Sequence, residues 1–123
     1  MRQWHVLPIS ADHNLDIYMN DKSQISHAFE TFVKEAPAHQ KAWLGAVQQL
    51  GEASRLDAKT EALVYIGILA ATRLESGLPF HVREAKKHGA SREEVISAVL
   101  AGLPAVGNNV IQSLPIALSA FDS

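Results

Sequence analysis

The chain has 123 residues, of which 47% are apolar and 20% charged, with a formal net charge of -2 and no cysteine. That length suits one domain but is too short to wrap several helices completely, so further burial is expected from partner subunits. The composition excludes a disordered chain, the charge leaves no electrostatic footprint for nucleic acid, and without a thiol any chemistry must run on histidine, carboxylate and arginine groups.

Residues 1–20 show no helical period and contain Pro8 and Asn14, which predicts an extended arm with Trp4, Val6 and Leu7 as anchors, ahead of one helical domain over 21–123. The opening residues lack the apolar core and cleavage site of a secretory signal. The longest apolar run, Ala62 to Thr72, falls short of the roughly 20 residues of a membrane span. A cytoplasmic protein with no membrane or nucleic-acid partner is expected.

From Ser23 to Glu35 the residues Ile25, Phe29, Phe32 and Val33 fall on one helical face, and Pro37 stops the helix. A second helix is predicted from Pro37 to Leu50, with Trp43, Val47 and Leu50 on one face and Gly51 as its C-terminal cap. Asp57 offers an N-cap for a third helix reaching Leu74, in which Leu63, Val64, Ile66, Ile68 and Leu69 point almost all round, the pattern of a buried helix. After a break at Ser76 and Gly77, Pro79 opens a helix that Gly89 ends. Ser91 and Glu94 form a capping box for the next one, which Gly102 and Pro104 interrupt. A last helix runs to Ala120 with a kink at Pro115, which makes an all-α bundle of about six helices.

His81 stands out. With Pro79 as first helical residue it is the third, near free backbone N–H groups and the positive end of the helix dipole, a field that disfavours imidazolium. A neutral imidazole suits general acid-base work. Arg73 and Glu75 lie close in sequence, where a guanidinium can hold a substrate carboxylate and a carboxylate can orient an imidazole. The same two side chains equally suit a surface pair, and a histidine near a helix start equally suits a satisfied core group. Glu61 is a further candidate, at the far end of the preceding helix that leads to Arg73.

His81, Glu84 and His88 share a helix face, yet the spacing matches no metal motif, and His88 is explained by its place before Gly89 at the negative helix end, so neither metal nor organic cofactor is expected. Arg83, Lys86 and Lys87 read as a solvated face. Asn108 and Asn109 sit in an otherwise apolar predicted helix, where amides need partners. They either line a substrate pocket or bond across a subunit contact.

Three segments, L-D-A-K-T at Leu56 to Thr60, F-H-V-R-E-A-K-K-H-G-A-S-R-E-E at Phe80 to Glu94 and G-L-P-A at Gly102 to Ala105, resemble the carboxymuconolactone decarboxylase family, which includes the alkylhydroperoxidase D-like proteins. The peroxidase branch of that family carries C-x-x-C-x-x-x-H with a glutamate twelve residues before the first cysteine. His81 matches the histidine, but Leu74 and Gly77 replace the cysteines and Ala62 the glutamate, so the resemblance does not extend to thiol peroxidase activity. The decarboxylase branch is similar in also lacking the cysteine pair, in keeping the histidine, in a glutamate matching Glu75 and in G-x-P-A matching Gly102 to Ala105. The resemblance implies an all-helical homo-oligomer, a trimer or a hexamer, with His81 lining a pocket.

Two functions follow from these expectations. One is a cofactor-free decarboxylase-like lyase acting on a small carboxylated lactone or related anion, with His81 as acid or base, Glu75 orienting it, Arg73 holding the carboxylate, and Asn108, Asn109 and Glu61 near the substrate. The other is a non-catalytic oligomeric scaffold. Convergence of His81, Glu75 and Arg73 on one pocket separates them.

Overall fold

The computed structural model describes residues 26–123, and among them the fold is all-α, with no strand. The described residues form seven α-helices: α1 (His27–Glu35), α2 (Pro37–Ala53), α3 (Ala58–Thr72), α4 (Leu78–Lys87), α5 (Arg92–Leu100), α6 (Leu103–Val106) and α7 (Leu114–Asp122). Two 3-10 segments, Glu75–Gly77 and Gly107–Ser113, join α3 to α4 and α6 to α7. The predicted arm over residues 1–20 with its anchors Trp4, Val6 and Leu7, the helix start at Ser23 and the face residue Ile25 lie outside the described residues.

Local chemistry sets most of the helix starts. Ser26 accepts from Phe29 N–H to open α1, and Asp57 accepts from Thr60 N–H at 2.8 Å to open α3. The predicted capping box is formed in full at α5: the Ser91 hydroxyl accepts from Glu94 N–H, and the Glu94 carboxylate accepts from Ser91 N–H. Lys59 also reaches Glu94, at 3.0 Å, which ties the start of α3 to that of α5. Proline at the second position of α4, α6 and α7 occupies a site whose N–H has no helical partner to lose.

Several ends differ from expectation. Gly51 does not cap α2; it is buried inside the helix, which continues to Ala53 because nothing in the sequence blocks it, and Ser54 forms the cap. Helix α3 stops at Thr72, not Leu74, because Arg73 turns left-handed (φ 61) and closes a Schellman pair, Leu74 N–H to Leu69 C=O and Arg73 N–H to Ala70 C=O. Pro115 does not kink a helix but opens α7, and Asn108 and Asn109 lie in the 3-10 segment before it. His81 is the fourth residue of its helix, since α4 begins at Leu78.

Helices α3, α4, α5 and α7 build the core, α3 against α4 and α5, α7 against α4 and α5. Ile66, Leu78, Val82, Val95, Val99 and Val110 are fully buried there, each worth about 1.5–3 kcal/mol relative to exposure. Gly67 allows the close approach of α3 and α5: a methyl carbon there would stand 3.0 Å from the Ala98 carbonyl oxygen. Residues 92–122 have the length and apolar composition of a membrane span, but the chain breaks there into α5, α6, a 3-10 segment and α7, with α5 and α7 packed on each other.

Within the single subunit α3 is not buried all round: Val64 is 49% and Ile68 52% exposed. They border a groove of about 600 Å³ between α3 and α5, whose walls include Leu63, Gly67, Ala71 and Ala98. Trp43 and Leu50 on α2 are exposed too, while Leu44 and Gln40 are the buried side chains of that helix.

Candidate active site

The left-handed turn at Arg73 sends the chain into the 3-10 turn that carries Glu75. There the Arg73 Nε donates to Glu75 Oε2 at 2.6 Å, and the buried Ser113 hydroxyl, from just before α7, donates to the same oxygen at 3.1 Å. The Arg73 guanidinium beside Glu75 holds its carboxyl below the usual range; partial burial opposes this and the Ser113 hydrogen bond adds to it. Asn109 completes the group: its amide nitrogen donates to the Ala71 carbonyl at 3.2 Å, and its amide oxygen lies 3.4 Å from Arg73 Nη1. The exposed Asn108 does not join. The two asparagines, equivalent in sequence, are thus divided by the 3-10 turn.

His81 is carried by the next helix. It is only 9% exposed, one turn into α4, with its ring centroid 4.3 Å from that of Tyr65 on α3 and 5.0 Å from that of Phe80. Gly77 lies close by: a methyl carbon there would fall 3.9 Å from His81 Cδ2 and 3.5 Å from Leu69 Cδ1, both ordinary contacts. Burial raises the Tyr65 phenol above its usual value, which keeps its hydroxyl protonated.

Spacing on α3 decides how these parts relate. Glu61, Tyr65 and Leu69 recur every four residues and share the face toward His81, whereas Leu63, Gly67 and Ala71 line the groove on another face. The groove is therefore not the pocket expected beside His81. Glu61 is partly buried one turn before Tyr65, and its Oε1 is enclosed with no hydrogen-bond partner among the described residues.

Further along α4, Glu84 Oε1 and His88 Nε2 lie 3.8 Å apart. Burial pushes the Glu84 carboxyl up, against a smaller opposing pull from Lys87, and burial together with Lys87 pushes the His88 imidazole down. Each is moved toward its neutral form. Among the described residues no three His, Asp or Glu side chains gather as a metal-holding group.

The structure thus brings Arg73, Glu75 and Asn109 together, places His81 beside Tyr65, and leaves Asn108 outside. Sequence reasoning missed Tyr65 and Ser113. Tyr65 carried a signal, an aromatic ring with a polar tip inside an otherwise apolar helix. Ser113 carried none, because only the tertiary fold brings it to Glu75, 38 residues earlier.

No curated protein and no solved structure matches the chain. A sequence model described as the Carboxymuconolactone decarboxylase family matches residues 37–118, which takes in α2 to α6, the Arg73 group, His81 and most of α7. The chain belongs to the carboxymuconolactone decarboxylase family.

Proposed function

We propose that the protein is a cofactor-free acid-base enzyme acting on a small carboxylated lactone or related anion, with His81 as the group that moves the proton. The observation that carries this reading is an imidazole almost fully buried in the first turn of α4, beside a tyrosine. Loss of carbon dioxide breaks a carbon–carbon bond, leaves its electron pair on the remaining skeleton and requires a proton at carbon. An imidazole can take up a proton from water and deliver it to that carbon, so one solvent proton replaces each ionised carboxylate lost as carbon dioxide.

In this reading Arg73 holds the substrate carboxylate through the terminal nitrogens of its guanidinium, because Nε is engaged by Glu75. Glu75 orients the site through Arg73, given that its hydrogen bonds run to Arg73 and Ser113. Asn109 supports the same guanidinium; Asn108 and Glu61 are proposed to contact substrate. Exposed Trp43, Leu50, Val64, Ile68 and Leu74 support assembly as a homo-oligomer, proposed to be a cytoplasmic trimer or hexamer whose neighbours complete the pocket. Thiol peroxidase chemistry has no cysteine to run on.

The rival reading, an oligomeric scaffold without catalysis, draws support from the Arg73–Glu75 pair, which satisfies itself without substrate. A panel of lactones and hydroxy acids, each offered with and without its carboxylate, separates the two. Turnover confined to carboxylated compounds and lost in His81→Ala supports the enzyme; no turnover across the panel supports the scaffold, and equal turnover by both proteins removes His81 from the reaction.

A further inference from the structure

Ser113 stands immediately before α7, in the N-cap position, where a serine ordinarily accepts a hydrogen bond from a first-turn N–H. It makes no such bond: its backbone is already helical (φ -84, ψ -11), and Pro115 at the second position of α7 has no N–H to give. The residue is nevertheless fully buried, and a buried hydroxyl needs a partner. Its hydrogen goes to Glu75 Oε2, 38 residues earlier in the chain, so the helix start does not account for it.

We infer that Ser113 is a positioning residue for Arg73, acting through Glu75: its hydroxyl ties the Arg73–Glu75 pair to the core and so fixes how the guanidinium is presented. The inference rests on Arg73 holding the substrate carboxylate, as proposed above. An ion pair between long side chains at the surface is ordinarily loose, because both must give up rotamer freedom to keep one geometry. The Arg73 side chain is 37% exposed and that of Glu75 21%, so the pair alone stands close to that case. Here, however, Arg73 Nε and the Ser113 hydroxyl donate to the same oxygen, Glu75 Oε2. The carboxylate is thereby held from the guanidinium on one side and from the buried core on the other.

The second contact of the guanidinium does not replace that anchor. Asn109, four residues before Ser113 on the same 3-10 segment, reaches Arg73 Nη1 only at 3.4 Å, against 2.6 Å for the bond to Glu75. The left-handed turn fixes the backbone at Arg73, and Glu75 directs the side chain beyond it. With Nε engaged, the terminal nitrogens are the edge left for an anion, and a Glu75 that swings free would let that edge wander. Losing the Ser113 hydroxyl should therefore weaken capture of a carboxylate while leaving the proton-moving group untouched, which raises KM and spares kcat.

The test is a double-mutant cycle of Ser113→Ala and Glu75→Ala with two readouts. One is solvent exchange of the Arg73 Nε–H, followed by NMR and assigned by its loss in Arg73→Lys. The other is KM and kcat for a carboxylated lactone that wild type turns over. Ser113→Ala is expected to speed the exchange and to raise KM, each by about three- to tenfold, the size of one hydrogen bond's net contribution, with kcat within about twofold of wild type. Added to Glu75→Ala, the same substitution should change neither. Should Ser113→Ala not fold, Ser113→Cys, of the same shape with a weaker donor, is read the same way. The inference is overturned if Nε–H exchange stays at the wild-type rate, if Ser113→Ala has the same effect without Glu75 as with it, or if kcat falls in place of the rise in KM. Faster Nε–H exchange in a protein that turns over no compound would leave the positioning of Arg73 standing and remove the enzyme reading.

Discussion

Arg73 and Glu75 are joined by a 2.6 Å contact across the end of α3, and Arg73 makes it from a left-handed backbone, the one non-glycine residue with positive φ among those described. Glycine is the usual residue at that place in a Schellman ending, because a Cβ there costs about 1 kcal/mol. Retaining arginine instead keeps a guanidinium beside Glu75 and Asn109. Residues held in such conformations often mark functional sites.

The strain and the side chain can be separated. Arg73→Gly and Arg73→Ala both remove the guanidinium, but only glycine relaxes the backbone, so denaturant unfolding should find the glycine variant more stable by about 1 kcal/mol. Both should lose turnover of carboxylated substrates alike. Equal stability of the two would mean that Arg73 bears no backbone cost.

Glu75 should shape the acid limb of stability. Its folded-state value lies below the usual 4.5, so the stability it contributes is complete above about pH 4.5 and is lost as pH falls through the lowered value. Unfolding midpoints measured from pH 6 to pH 3 should fall less steeply in Glu75→Gln than in wild type. Parallel curves would show that the pair with Arg73 adds nothing to folding.

Glu84 has the opposite sign. Burial raises its folded-state value above the usual 4.5, so the ionised form weighs against folding above about pH 4.5 and has no effect below it, where both states are protonated. Little pairing is lost with it, because His88 is itself held toward its neutral form. Glu84→Gln should therefore be more stable than wild type at pH 7 and equal to it near pH 3, as read by thermal unfolding at the two pH values.

Two glycines in helix interiors should respond in opposite ways to alanine. Nothing lies within 4 Å of a methyl carbon at Gly45 on α2, so Gly45→Ala should gain up to about 1 kcal/mol from helix propensity. At Gly67 the same carbon meets the Ala98 carbonyl oxygen at 3.0 Å, and a backbone neighbour yields only if α3 and α5 separate. Gly67→Ala should lose about 1–3 kcal/mol by overpacking. Chemical denaturation of the two variants gives the comparison directly.

Much of the helical plan was legible because its signals are local. Asp57, Ser91 with Glu94, and the helix-opening Pro37 act within one turn and do what their spacing predicts, while Pro79 falls at the second position of its helix instead of the first. The helix ends at Gly51 and Leu74 and the supposed kink at Pro115 were misread, because a buried glycine, a left-handed arginine and a 3-10 run are settled by packing. His81 was visible from its place after Pro79, while the Tyr65 ring against it and the Ser113 hydroxyl on Glu75 depend on helices brought together by the core. The exposed face of α3 was hidden for a related reason: an apolar helix in sequence does not say which neighbour covers it.

The most direct measurement is carbon dioxide release from carboxylated lactones by wild type and His81→Gln, at equal concentration and with folding of both verified. Removal of a proton-transferring imidazole should slow the reaction by about 10²–10⁴-fold. A variant that releases carbon dioxide as fast as wild type would contradict His81 as the reactive group.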